Sequence, residues 1–157
     1  MNAITSHKKG GKAMFDRILY PTDFSDVSMK AVNYVKQLKD AGTREVTVLH
    51  VIDERTLLAP DVLSGIDFIA LQDELRRIAD EECNKIVEQL REGGLSAKFI
   101  VKNGVPFLEI LRTAQEEKAS LIVIGSHGKS NLEEMLLGSV SEKVIRKAVQ
   151  PVLVIKR

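Results

Sequence analysis

Cysteine is almost missing from this chain: Cys83 is the only one in 157 residues. That excludes an internal disulfide framework and any cysteine-rich metal site, and it suits a reducing compartment. Long apolar runs are missing too. Stretches such as Leu121–Ile124 and Pro151–Ile155 fall far short of the roughly twenty residues a membrane helix needs. No basic-then-apolar leader pattern opens the chain. Nor is there a surplus of either charge: 23 Lys and Arg stand against 22 Asp and Glu, a net +1. Nothing global therefore draws the protein to nucleic acid or to an acidic membrane surface. Hydrophobic residues, at 44%, are too many and the charge too balanced for bulk disorder. The expectation is one soluble, cytoplasmic domain with a single core.

Apolar residues recur with two alternating periods. Met1–Ala13, with Lys8, Lys9, Lys12 and two glycines, shows neither period and reads as a flexible tail ahead of a domain at 14–157. Without those three lysines the balance is 20 basic against 22 acidic residues, or −2. Short strand-like runs are expected at Arg17–Tyr20, Glu45–Ile52, Ala97–Lys102, Ser120–Ile124 and Pro151–Ile155. Helical spacing is expected over Asp26–Asp40 with Ser25 as N-cap, over Phe68–Glu92, from Pro106 onward, and over Ser139–Val149. Asp53–Asp67, broken by Pro60 and Gly65, follows no pattern. Strands alternating with helices require crossover connections, hence an open α/β fold with a parallel sheet and helices on both faces.

In such a sheet ligands lie beyond the carboxyl ends of the strands, where strand order reverses. Three strand ends qualify: Pro21-Thr22-Asp23-Phe24-Ser25, Val51-Ile52-Asp53 and Gly125-Ser126-His127-Gly128. Gly125 and Gly128 bracket a turn, and Gly138-Ser139 stands immediately before the last helix. Glycine admits a ligand close to the backbone, and a helix N-terminus offers unpaired N–H donors with a positive dipole end. Lys129, Ser130, Ser139 and Ser141 lie in the same segment. Turn-making and helix capping explain the same residues, and the residues alone leave both readings open. A Walker A loop is excluded because Val123 stands where its first glycine belongs, and no dinucleotide fingerprint follows the first strand. No G-x-S-x-G elbow is present, and His7, His50 and His127 are too scattered to form a metal cluster. Asp23 is placed either to meet a nucleoside or to cap the first helix beside Ser25.

Taken in order, Ile18–Ser25, Leu49-His50-Val51-Ile52, Gly104-x-Pro106, Leu121–Gly128, Leu136–Val140 and Pro151–Val154 resemble the universal stress protein family, specifically its nucleotide-binding branch. That branch's signature, G-x2-G-x9-G-[S/T], is met by Gly125, Gly128, Gly138 and Ser139. The resemblance implies strand order 3-2-1-4-5 and a homodimer through the Val152–Ile155 edge. It places adenine near Val51, with Pro21, Thr22 and Asp23 around base and ribose. Phosphates would run along Gly125, His127, Gly128, Gly138, Ser139, Val140 and Ser141, with Ile124 beside them. ATP, or alternatively AMP, would carry Mg2+ or Mn2+ on its phosphates. The implied role is a nucleotide-dependent regulatory switch in the stress response, acting on a protein partner the sequence does not identify. A slow ATPase or phosphotransferase, or a dimeric interaction module binding AMP or no nucleotide, are the alternatives. Ser120 departs from the family's usual aspartate at that position.

Overall fold

The computed structural model describes residues 13–57, 68–128 and 137–156. Five strands form one parallel sheet: β1 (Arg17–Pro21), β2 (Glu45–Asp53), β3 (Ser96–Gly104), β4 (Leu121–Gly125) and β5 (Val152–Ile155). Their order is β3-β2-β1-β4-β5, as the resemblance implied. The connecting helices are α1 (Asp26–Gln37), the single turn α2 (Glu54–Leu57), α3 (Phe68–Glu92), α4 (Pro106–Glu116) and α5 (Ser139–Lys147). None of the described helices is long and apolar enough to cross a membrane.

The two faces of the sheet are covered by different helices because successive strand residues point oppositely. Ile18, Tyr20, Val46, Val48, Leu121 and Val123 meet Ala31, Val32 and Val35 of α1 and Ala79, Cys83, Ile86 and Val87 of α3. Leu19, Leu49, Ile122 and Ile124 meet Ile110 and Ala114 of α4 and Val144 of α5. Both faces of β4 are buried, so its sequence is an unbroken apolar run. At the amino ends of the strands, Ser120 holds β4 to β1. Its hydroxyl accepts from Arg17 N at 3.0 Å and donates to Arg17 O at 2.9 Å. The departure at this position thus lies at the far end of the sheet from the strand tips.

Element boundaries shift for physical reasons. α1 stops at Gln37, three residues short of the expected Asp40, and Gly42 turns the chain at φ +101°. α5 stops at Lys147 because Ala148 is already extended, with Pro151 close behind. β3 runs on to Gly104, since β2 offers it partners as far as Asp53. Met1–Lys12, the 58–67 part of the unpatterned segment, Lys129 and Ser130 lie outside the described residues.

Two ionisable groups are sealed in the core. Cys83 is fully buried, and burial pushes its thiol up from 9.0 to about 12. Burial likewise raises Tyr20 to about 12. In alkali the unfolded chain ionises both while the folded chain keeps them protonated. The unfolded state then binds fewer protons, so stability falls as pH rises, from about pH 9 for Cys83 and about pH 10 for Tyr20. Each group contributes a slope of up to about 1.4 kcal/mol per pH unit. Urea midpoints should therefore drop steadily above about pH 9, and Cys83→Ala should delay the fall by about one pH unit. A midpoint constant to about pH 11 would contradict the burial of both groups.

Candidate functional site

The tip of β1 is a bonded turn. Thr22 N donates to Leu49 O at 2.9 Å, continuing the β1–β2 ladder one residue past the strand. The Thr22 hydroxyl accepts from Phe24 N at 3.0 Å and bonds the Ser28 hydroxyl at 3.0 Å. Asp23 Oδ1 accepts from Ser25 N at 3.0 Å, and Ser25 Oγ accepts from Ser28 N at 3.3 Å. Ser25 thus caps α1, and Asp23 closes the turn just ahead of it. Ser28 O takes the buried Tyr20 hydroxyl. The turn forces Phe24 to φ +62°, a left-handed conformation costly for a bulky residue. His50 compensates: its ring stacks on Phe24 at 4.4 Å, and its Nδ1 lies 2.9 Å from Thr22 O. His50 is therefore a bonded structural residue, and it fixes the backbone strain to this strand tip.

The tip of β4 is built differently. Ser126 N donates to Ile155 O at 2.8 Å, and Ser126 O receives Gly138 N at 2.7 Å and the Ser141 hydroxyl at 2.8 Å. These bonds lay the N-terminus of α5 against the end of β4. The Ser126 hydroxyl is 2.8 Å from His127 Nδ1. Helix α5 begins at Gly138 with no side-chain cap, whereas α1 is capped by Ser25. Ser141 turns its hydroxyl back to Gly138 O at 2.8 Å and serves none of the first-turn N–H groups. Among the described residues the amides of Ser139, Val140 and Ser141 have no backbone acceptor, as expected of a helix's first turn.

The three signature glycines have unequal reasons to be glycine. A Cβ on Gly125 would stand 3.2 Å from Ser28 N and 3.3 Å from Ser28 Cα, so Gly125 lets α1 pack on the end of β4. A Cβ on Gly128 would stand 2.5 Å from Asp23 Oδ2, so Gly128 makes room for that carboxylate. Gly138 is different. Its φ is −73°, and a Cβ there would make only ordinary contacts, of 3.4 Å or more, with His127, Ser126 and Ser141. Among the described residues nothing around Gly138 asks for a glycine.

Between these strand tips lies a crevice of about 480 Å3, within the range of small-molecule sites. Pro21, Thr22 and Asp23 form one wall, Val51 stands at the β2 side, and Ile124, Gly125, His127 and Gly128 follow β4. Gly138, Ser139, Val140 and Ser141 form the start of α5 on the remaining side. All twelve residues that the resemblance assigns to a nucleotide thus line one cavity. Ser28, Leu49, Asp53, Pro106 and Ile110 line it as well. Pro106 and Ile110 were not legible as site residues, because only the β3–α4 crossover brings the first turns of α4 over β2.

The crevice has two chemical halves. Leu49, Val51, Pro106 and Ile110 give an apolar slot, and the uncapped amides of α5 give an anion-receptive end. Asp53, on the rim, receives Arg55 through Nε at 2.9 Å and Nη2 at 2.6 Å. That fork holds the Asp53 carboxyl below its usual range. Among the described residues no cluster of three or more His, Cys, Asp or Glu side chains could hold a metal ion.

Such a fold, with its crevice where strand order reverses, defines a Rossmann-like α/β protein. The chain belongs to the universal stress protein family, whose model matches residues 14–156. It is similar to the universal stress protein MJ0577 of Methanocaldococcus jannaschii, at 42% identity over 156 residues, 92% of this chain and 96% of that one. The solved structure of MJ0577 matches with a TM-score of 0.83 over 92% of this chain and 97% of that one. The universal stress protein YxiE of Bacillus subtilis is 39% identical, over 91% of this chain and all of its own 100%. A universal stress protein from Archaeoglobus fulgidus, solved in complex with dAMP, shares the fold. It is 24% identical with a TM-score of 0.62, over 91% of this chain and 99% of that one.

Proposed function

We propose that this protein binds an adenine nucleotide, ATP with AMP as the alternative, and works as a cytoplasmic nucleotide-dependent switch in the stress response. It does so as a homodimer paired through Val152–Ile155. The observation that carries the nucleotide reading is the junction of an apolar slot with a helix start lacking a side-chain cap in one crevice, beside a glycine that its described neighbours do not require. A flat base suits the slot between Val51 and Ile110. Asp23 offers a carboxylate to donors on base or ribose, and phosphate suits the amides of Ser139, Val140 and Ser141. That a protein of the same fold was solved with dAMP is consistent with this assignment. Mg2+ or Mn2+ would be carried on the phosphates.

A switch fits this crevice better than a fast enzyme. Hydrolysis needs an oriented water and fixed positive charge on the developing phosphate oxygens. The carboxylates among the described lining residues are Asp23 and Asp53, and the segment's one lysine, Lys129, lies outside the described residues. Backbone amides bind the ground state about as well as the transition state, and uniform binding does not accelerate chemistry. Protein purified without added nucleotide and then denatured should release ATP or AMP, identified by mass. Single-turnover hydrolysis with magnesium should stay below about 1 s⁻¹, the low end for enzymes. Turnover above that rate and lost in His127→Ala would make the protein an enzyme. Absence of binding to ATP, ADP and AMP in calorimetry would make the crevice vestigial.

A further inference from the structure

The two edges of the sheet are finished in opposite ways. An edge strand presents unpaired amides and carbonyls, and it templates another chain unless something occupies them. At the β3 edge, Ser96 N donates to Arg44 O at 2.9 Å, so the main-chain groups of Ser96 face β2. Such groups alternate along a strand, which turns those of Ala97, Phe99 and Val101 outward. Two of those outward carbonyls are taken. Arg91 Nε donates to Ala97 O at 3.0 Å, and Arg76 Nη1 donates to Val101 O at 3.2 Å. Both arginines come from α3, which reaches past the edge of the strand it covers. Arg76 is held in place by Asp80 at 3.2 Å, one helical turn away.

At the other edge, Ile122 N donates to Pro151 O at 3.0 Å and Ser126 N to Ile155 O at 2.8 Å. Pro151, Leu153 and Ile155 therefore face β4, and Val152 and Val154 turn their main-chain groups outward. Among the described residues no side chain is bonded to those groups. Lys156 follows at once, and the strand is only four residues long.

We infer that Arg76 and Arg91 close the β3 edge against a second copy of this chain, leaving β5 as the edge open for self-pairing. The closure stands on β3 alone; its consequence, a finite pair rather than a fibre, rests on the β5 pairing proposed above. Two chains joined antiparallel through β5 make one ten-stranded sheet with β3 at both ends. If both ends were open, such pairs would add to one another without limit. An incoming strand at β3 instead finds two outward carbonyls occupied and two guanidinium groups in its path.

The test compares wild type with Arg76→Ala/Arg91→Ala by sedimentation velocity across roughly a tenfold range of concentration. Wild type should sediment as one species throughout. The double variant should grow with concentration, its weight-average mass rising about twofold or more, with β-sheet circular dichroism retained. A folded double variant that sediments like wild type at every concentration overturns the closure. Should the alanine pair fail to fold, Arg76→Gln/Arg91→Gln keeps most of the aliphatic stem and carries the same comparison. The β5 pairing is judged separately, by the wild-type mass. If wild type is a monomer that pairing fails, while growth of the variant from monomer to dimer still supports closure of β3.

Discussion

Gly138→Val should abolish nucleotide binding while leaving a cooperative thermal transition. Gly138 sits at φ −73° and ψ 156°, an extended conformation that a β-branched residue adopts readily. A Cβ there would touch His127 Cα and Ser126 O at 3.4 Å and Ser141 Oγ at 3.5 Å, all ordinary separations. The cost to folding is confined to the helix start, where valine is a poorer N-cap than glycine by about 1 kcal/mol. In the crevice the change is larger. Two methyl groups would occupy the approach to the amides of Ser139, Val140 and Ser141, where phosphate is proposed to lie. Affinity for ATP should fall by at least about 100-fold, or roughly 2.7 kcal/mol. Gly125→Ala is the instructive contrast. Its Cβ would press on the backbone of Ser28 at 3.2 Å, so it should lower the melting temperature along with affinity. Calorimetry and thermal melts on the two variants separate the cases. Unchanged ATP affinity in Gly138→Val would remove the start of α5 from the phosphate site.

That contrast also marks how far the sequence could be read. The spacing of Gly125, Gly128 and Gly138 is visible in the sequence, and so is the strand-loop-helix setting. What is not visible is that Gly125 and Gly128 answer to neighbours in the folded protein, Ser28 and Asp23, and Gly138 to none among the described residues. Glycine is one letter for two demands. The alternation of strands and helices was legible because β1 and β4 are buried on both faces and the helices carry one apolar stripe each. Strand order came only through the family resemblance, since a buried strand's pattern does not name its neighbours. Pro106 opens helix α4 and Ile110 lies on its buried face, local features that say nothing of the crevice they roof. The left-handed Phe24 was hidden altogether. No local pattern announces a positive φ at phenylalanine; the stacking on His50 that sustains it joins residues 26 positions apart.

Val152→Pro combined with Val154→Lys should convert a dimer into a folded monomer. Val152 opens β5 and its amide points away from β4, so proline there removes an outward donor and none of the β4–β5 bonds. The first residue of an edge strand is also where proline is tolerated. Leu153 and Ile155 keep their bonds to the sheet, and Ile155 stays buried on the α1 face. Val154 faces the other side, packed at the margin of the α5 layer, where a lysine can snorkel to solvent in the monomer. In a pair related by a two-fold axis every substitution acts twice, so two donors are lost and two ammonium groups meet across one short seam. Like charges brought together and donors removed oppose pairing without entering the core of either chain. The dimer dissociation constant should rise by at least about 100-fold. Sedimentation at micromolar concentration should show a dimer for wild type and a monomer for the double variant, with cooperative melting retained in both. Wild type found as a monomer under those conditions would refute pairing through β5 directly. A variant that stays dimeric would move the interface to another face of the protein.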